Sequence, residues 1–269
     1  MKFGTGSWFY SEYSVSEAIK KIKNSGFQAV EIWMEHLLKT GEKLSFIKSE
    51  AEDLGISLSL HATSYDLNMT SLNKGICKES RKQTIESIIT ASEIGANIVV
   101  IHPGRVSSSK GDVEYYKSEL LKFLIEIDNT ASSEGVIIGL EIMEKRAREI
   151  LVYPEEVNIL LKNKWKNLKL TLDIAHAGTV MDPSAFINLI NHEWITHIHL
   201  SDSKADAAHL PLGKGNTDIN KALKTLSGFY DKTVIIEGYV PGKGDEVTEN
   251  NYIYLRKNGW ILNDSTGKS

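Results

Sequence analysis

Six of the eight strand-like segments in this chain end on a side chain that can bind a metal ion. They are His61 after ISLSL, His102 after NIVVI, Glu141 after VIIGL, Asp173 after LKLTL, His199 after ITHI and Glu237 after TVII. One carboxylate or imidazole at a strand end is an accident. Six in series mean that parallel strands deliver their last residues to a common rim, where hard and borderline ligands converge on a divalent ion. The pattern constrains the fold and points to metal-assisted chemistry at one mouth of a barrel.

Strand candidates are Phe3–Ser7, Ala29–Trp33, Ile56–His61, Ile98–His102, Val136–Glu141, Leu168–Asp173, Ile195–His199 and Val234–Glu237. Helical periodicity lies between them, over 14–24, 42–54, 78–94, 113–134, 154–162, 183–190, 218–228 and 246–257. Gly26, Gly55, Gly95 and Gly135 each follow a helix and precede a strand, where a left-handed C-terminal turn suits glycine. Pro154 and Pro183 open helices, and Asp182 and Asp218 are expected N-caps. Eight β–α units in 269 residues predict a single-domain (β/α)8 TIM barrel over 1–262, followed by a polar tail over 263–269. A doubly wound open sheet is the alternative, but strands at its opposite edges would not bring their ends together. The long loops 62–76, 103–112, 142–153 and 200–217 follow the strands, on the side where this fold keeps its active sites.

The net charge of −4 and the absence of a basic stripe disfavour a nucleic-acid partner. Lys20, Lys21, Lys23, Lys162, Lys164 and Lys166 read as solvated helix faces. No apolar run reaches the roughly 18 residues needed to span a bilayer, and MKFGTGSWFY leaves no room for a signal peptide. With Cys77 as the only cysteine, no intramolecular disulfide can form, and the cytoplasm is the expected compartment.

Glu141, Asp173, His199 and Glu237 come from four consecutive strand candidates. Three carboxylates gathered in a low-dielectric mouth repel one another, and a divalent cation removes that penalty. With an imidazole added, the set suits Mn, Co, Zn or Mg. Each of the four taken alone reads equally well as a strand cap or ion-pair partner.

The segments SLHA (59–62), VVIHPG (99–104), GLEI (139–142), TLDIAHAG (171–178), HIHLSD (197–202), HLPLGKGNTDI (209–219) and IIEGY (235–239) resemble the xylose-isomerase-like barrel superfamily. That group includes sugar-phosphate isomerases and epimerases, inosose dehydratases and the endonuclease IV repair enzymes. The resemblance covers nearly the whole chain. It implies that Glu141, Asp173, His199 and Glu237 hold one shared metal, with Glu141 and Glu237 also acting as the acid/base pair. The implied reaction is isomerisation or epimerisation of a sugar, polyol ketone or sugar phosphate. Proton transfer would run through a metal-stabilised enediolate.

In the endonuclease IV branch, the histidines matching His61 and His102 bind a second zinc, bridged by the glutamate that matches Glu141. A third zinc there is held by histidines matching His176 and His209, with an aspartate two residues before the latter. This chain has Ala207 at that position, beside Asp206, which counts against a third ion but not against a second; one ion per chain is expected over two or three. A zinc phosphodiesterase acting on abasic DNA and an inosose-type dehydratase remain the alternatives. His61 and His102 read equally as substrate hydrogen-bonding groups, and His176 as a loop residue.

Trp8 and Trp33 end strands one and two as a wall for a sugar ring, with core packing as the plainer reading. Glu31 is expected as an outer carboxylate, a substrate contact or the partner of a rim lysine or arginine, and Lys204 as an anion contact or an exposed lysine. His197 is expected in the core, one layer below His199, while His36 on a loop and His192 at a helix end carry no role. The segment LGKGN (212–216) offers amides to a phosphate or forms a plain turn, and Arg105, Lys110, Arg146 and Arg148 could add cations. Apolar positions on the outer helices permit pairing of two copies.

Overall fold

The parallel strands close on themselves. In this computed structural model, which describes residues 1–204 and 207–262, the strands are β1 (Lys2–Gly6), β2 (Ala29–Trp33), β3 (Ser57–His61), β4 (Ile98–Ile101) and β5 (Ile137–Glu141). They continue with β6 (Leu168–Asp173), β7 (Ile195–Leu200), β8 (Asp202–Lys204), β9 (Ala207–Leu210) and β10 (Thr233–Ile236). The barrel order is β1-β10-β7-β6-β5-β4-β3-β2, every pair parallel, and β1 pairs with β10 to complete the ring. Closure excludes the open doubly wound sheet. The expected tail 263–269 and Asp206 lie outside the described residues.

The helices between the strands are α1 (Val15–Asn24), α2 (Met34–Thr40), α3 (Leu44–Asp53), α4 (Lys74–Ile94) and α5 (Val113–Glu134). They are followed by α6 (Pro154–Leu161), α7 (Ile174–Gly178), α8 (Pro183–Leu189), α9 (Ile219–Leu226) and α10 (Gly244–Lys257). Periodicity placed all of these except α2 and α7. His36 and His176, expected on loops, therefore sit on short helices. Gly95 and Gly135 end α4 and α5 with φ of 76° and 68°, the left-handed turn that a residue without Cβ adopts freely. Asp182 and Asp218 cap α8 and α9 by accepting from Ala185 N–H and Lys221 N–H. Lys20 and Lys21, on the outside of α1, pair with Glu50 and Asp245. Among the described residues no helix is long and apolar enough to cross a membrane.

Two features of this scaffold set the height of the rim. Register pairs Asp173 with His199 and Trp33 with His61, so the strand ends arrive at matching levels. Inside the barrel, Gly139 lies two residues below Glu141 and so faces the same way; a methyl group there would collide with Thr171 Oγ1. The start of β6 is fixed from outside by Asp128 of α5, which is buried. Its Oδ2 accepts from Lys166 N–H, and its Oδ1 accepts from Asn167 and Leu168 N–H, each at 2.8 Å.

Replacing Asp128 leaves three amides near β6 without their acceptor. Asp128→Ala is expected to cost about 3 kcal/mol, read as a lower urea midpoint at unchanged slope. A second test concerns Glu156, which accepts from Val152 and Tyr153 N–H and pairs with Lys117 at 2.8 Å. Burial alone would raise its carboxyl, but Lys117 and the two amides hold it below the usual carboxylate range. A depressed carboxylate stabilises above its unfolded pKa, and that contribution is lost as pH falls through the folded value. Glu156→Gln is therefore expected to lower stability at neutral pH and to flatten its loss during acid titration.

Candidate metal centre

Glu141 ends β5, Asp173 ends β6, His199 is the penultimate residue of β7, and Glu237 follows β10 directly. One ligand atom from each of the four lies within 4.8 Å of those of the others. His199 Nδ1 is 3.3 Å from Glu141 Oε1 and 3.2 Å from Glu237 Oε1. Asp173 Oδ1 accepts from His176 N–H at 2.8 Å, while its Oδ2 is buried without a hydrogen-bond partner. Glu141 Oε2 is also without one. Buried carboxylate oxygens are normally satisfied, and two orphans aimed into a ring of anionic and imidazole donors fit a cation.

The electrostatics show the same demand. Burial would push the Glu141 carboxyl up, but His199 and the nearby imidazoles of His102 and His61 hold it well below the ordinary range. Burial pushes Glu237 well up, helped by Glu141, Asp173 and Glu31 against the pull of His199. Burial opposes charge on His199, yet Glu237, Glu31 and Glu141 raise it well above the usual imidazole value. Three carboxylates thus crowd around one imidazole, a surplus of negative charge that a divalent ion can offset.

Two further groups adjoin the first. His61 at the end of β3 and His102 beyond β4 bring Nε2 to 3.8 Å and 3.2 Å from Glu141 Oε2. Asp173, His176 and His209 make the other set, with the Nε2 atoms of the two histidines 3.1 Å apart. Asp173 caps α7, which carries His176, and β9 carries His209 at a φ of 57°, unusual for a side chain with Cβ. Glu144 Oε2 lies 3.4 Å from His176 Nε2. The back nitrogens of two histidines are tied: His61 Nδ1–H donates to Ala62 O at 2.9 Å, and His176 Nδ1–H to Ile142 O at 2.8 Å. That tautomer leaves each Nε2 with a free lone pair.

Glu31 pairs with no lysine or arginine among the described residues. It is completely buried, 2.8 Å from His197 Nε2 and 2.9 Å from His199 Nε2. His197 is the expected core histidine, and His192 stacks on Phe229. Trp8 stacks with Trp33 at a centroid distance of 6.4 Å, and Trp33 stacks on His61 at 4.3 Å. Tyr65, on a loop with no spacing signal, stands edge-on to both tryptophans. Trp33, Tyr65, Asn68, His102, Arg105 and Arg146 help to line a cleft of about 580 Å³. Lys204 is exposed at the end of β8 and faces a different groove, shared with Lys145 and Asn216. The amides of Leu212, Lys214, Gly215 and Asn216 are engaged within the protein. Gly215 N–H and Thr217 N–H donate to the buried Asp202 carboxylate at 2.7 Å and 3.0 Å, so the segment is a turn rather than a phosphate cradle.

A closed parallel barrel of eight strands with helices around it is a TIM barrel, and its ligand-capable residues stand at the mouth where this fold keeps its active sites. The pattern of the xylose isomerase-like TIM barrel family matches residues 19–258, and the chain belongs to that family. An uncharacterised protein of Methanocaldococcus jannaschii is 30% identical over 248 residues, covering 88% of this chain and 83% of that protein. A probable endonuclease 4 of Mycoplasma mobile is 36% identical over 146 residues, 49% of this chain and 50% of its own length. The crystal structure of a D-tagatose 3-epimerase-like protein superposes with a TM-score of 0.82 at 26% identity, covering 95% of this chain and 98% of that one.

Metal stoichiometry separates the groups. Elemental analysis of protein purified without added metal is expected to find about one divalent ion per chain, lost in Glu141→Ala and kept in His61→Ala. Two or more ions, one of them lost in His61→Ala, would show that the neighbouring groups bind as well.

Proposed function

We propose that the protein is a divalent-metal-dependent isomerase or epimerase acting on a sugar, polyol ketone or sugar phosphate. The observation that carries this reading is the pairing of Glu141 and Glu237 about His199 Nδ1, beside an aromatic-edged cleft of about 580 Å³. Glu141, Asp173, His199 and Glu237 would hold the ion. Bound there, it would polarise a carbonyl and its neighbouring hydroxyl and so acidify the C–H bond between them. Glu141 and Glu237 reach the centre from strands separated by β6 and β7. One carboxylate removes the proton and the other returns it. Return to the opposite face of the same carbon gives an epimer; return to the adjacent carbon interconverts aldose and ketose. Trp33 and Tyr65 supply apolar surface for a sugar ring, and Arg105 and Arg146 supply polar contacts. The likeness to the D-tagatose 3-epimerase-like structure supports the reading.

A zinc phosphodiesterase is the second reading. Two observations favour it: the adjoining His61–His102–Glu141 and Asp173–His176–His209 groups, and the relative named a probable endonuclease 4. Proton NMR in deuterium oxide decides between the two. With Mn(II), Co(II), Zn(II) or Mg(II) supplied, the protein is expected to exchange the C–H beside the carbonyl of at least one member of a ketose and ketose-phosphate panel. Glu141→Gln and Glu237→Gln should each slow that exchange by about 100-fold or more. No exchange across the panel, together with cleavage of abasic-site duplex DNA, would transfer the assignment to the phosphodiesterase.

A further inference from the structure

We infer that Glu31 is the positioning residue that aims His199 at the metal, an inference that rests on the metal reading above. Glu31 lies on β2 and His199 on β7, with β1 and β10 between them in the barrel wall. The two side chains meet across the interior, and both are completely buried. Glu31 Oε2 accepts from Ser59 Oγ–H at 2.9 Å and lies 2.8 Å from His197 Nε2. Ser59 on β3 and His197 on β7 thereby hold the carboxylate from two sides.

The other oxygen, Oε1, lies 2.9 Å from His199 Nε2. The approach is oblique, and neither atom has a hydrogen-bond partner elsewhere. Two buried polar atoms in that position have only each other to satisfy them. A carboxylate can only accept, so when a cation takes Nδ1 the ring keeps its proton on Nε2, against Glu31. Nδ1 is the atom that faces Glu141 and Glu237.

His61 and His176 are oriented by neutral main-chain carbonyls, whereas His199 has a buried carboxylate behind it. An anionic acceptor fixes the ring and also makes Nδ1 a stronger donor to a cation than a neutral acceptor does. The arrangement assigns His199 a different task from the other histidines: it is the single imidazole of the four-residue centre, backed by an anion. It also explains an acid beneath the rim that has no lysine or arginine partner among the described residues.

The test uses the full-length protein, with Zn(II) affinity measured by competition with a chromophoric chelator and coordination followed through the visible spectrum of bound Co(II). Glu31→Gln is expected to weaken Zn(II) binding about 10- to 100-fold and to alter the Co(II) bands. A residue that merely filled the core would shift the melting temperature but leave affinity and bands unchanged, and that result would overturn the inference. Wild-type protein that binds no Zn(II) would instead sink the metal reading itself. A second measurement needs no variant: in ring-labelled protein with bound Cd(II), nitrogen NMR should show metal coupling to His199 Nδ1. Coupling to Nε2 would refute the assignment even if Glu31→Gln failed to fold.

Discussion

Hydrogen bonding between β1 and β10 is the constraint on which the rest depends. Lys2 to Thr5 register against Thr233 to Ile236, and this one pairing converts a row of parallel strands into a ring. In an open sheet with these strands at its edges, β2 and β7 would be far apart and Glu31 could not reach His199. Closure brings eight strand ends to one rim and gives the interior a low dielectric, which makes their charges costly and therefore consequential.

That cost is met in layers. Below the rim, Glu31, Ser59 and His197 form a buried polar group beneath His199. At the rim, Glu141, Asp173 and Glu237 surround one imidazole nitrogen and leave carboxylate oxygens unsatisfied. Outside it, His61 and His176 are held in fixed tautomers by backbone carbonyls. Donors oriented in advance lose little freedom when they bind, so the mouth is preorganised for a cation. The cleft beside it, edged by Trp33 and Tyr65, provides apolar surface that the charged ring lacks.

The long alternation of short β-branched runs with amphipathic helices was legible in the sequence, because each strand and each outer helix buries a periodic face. Ala29–Trp33, Leu168–Asp173 and the helix over 113–134 were read to the residue. The elements that escaped are those too short for a period to register. They are the seven-residue α2, the five-residue α7 and the β8–β9 hairpin. Two of these matter for the site, since α7 carries His176 and β9 carries His209. The glycines of LGKGN look like a phosphate turn until Asp202, more than ten positions earlier, is seen to take their amides.

The sequence by itself determined the ring of strands and the residues at its mouth, because the period of a strand and the residue at its end are local facts about the chain. Only the tertiary structure decided which atoms face one another. Glu31 could be read as an outer carboxylate, a substrate contact or the partner of a rim lysine or arginine; it lies beneath His199 and His197, whose positions are more than 160 residues away. Such a pairing crosses the barrel interior and leaves no periodic trace. Which imidazole nitrogen faces the carboxylates, and which acids are left without a partner, follows from barrel closure and from the burial it imposes.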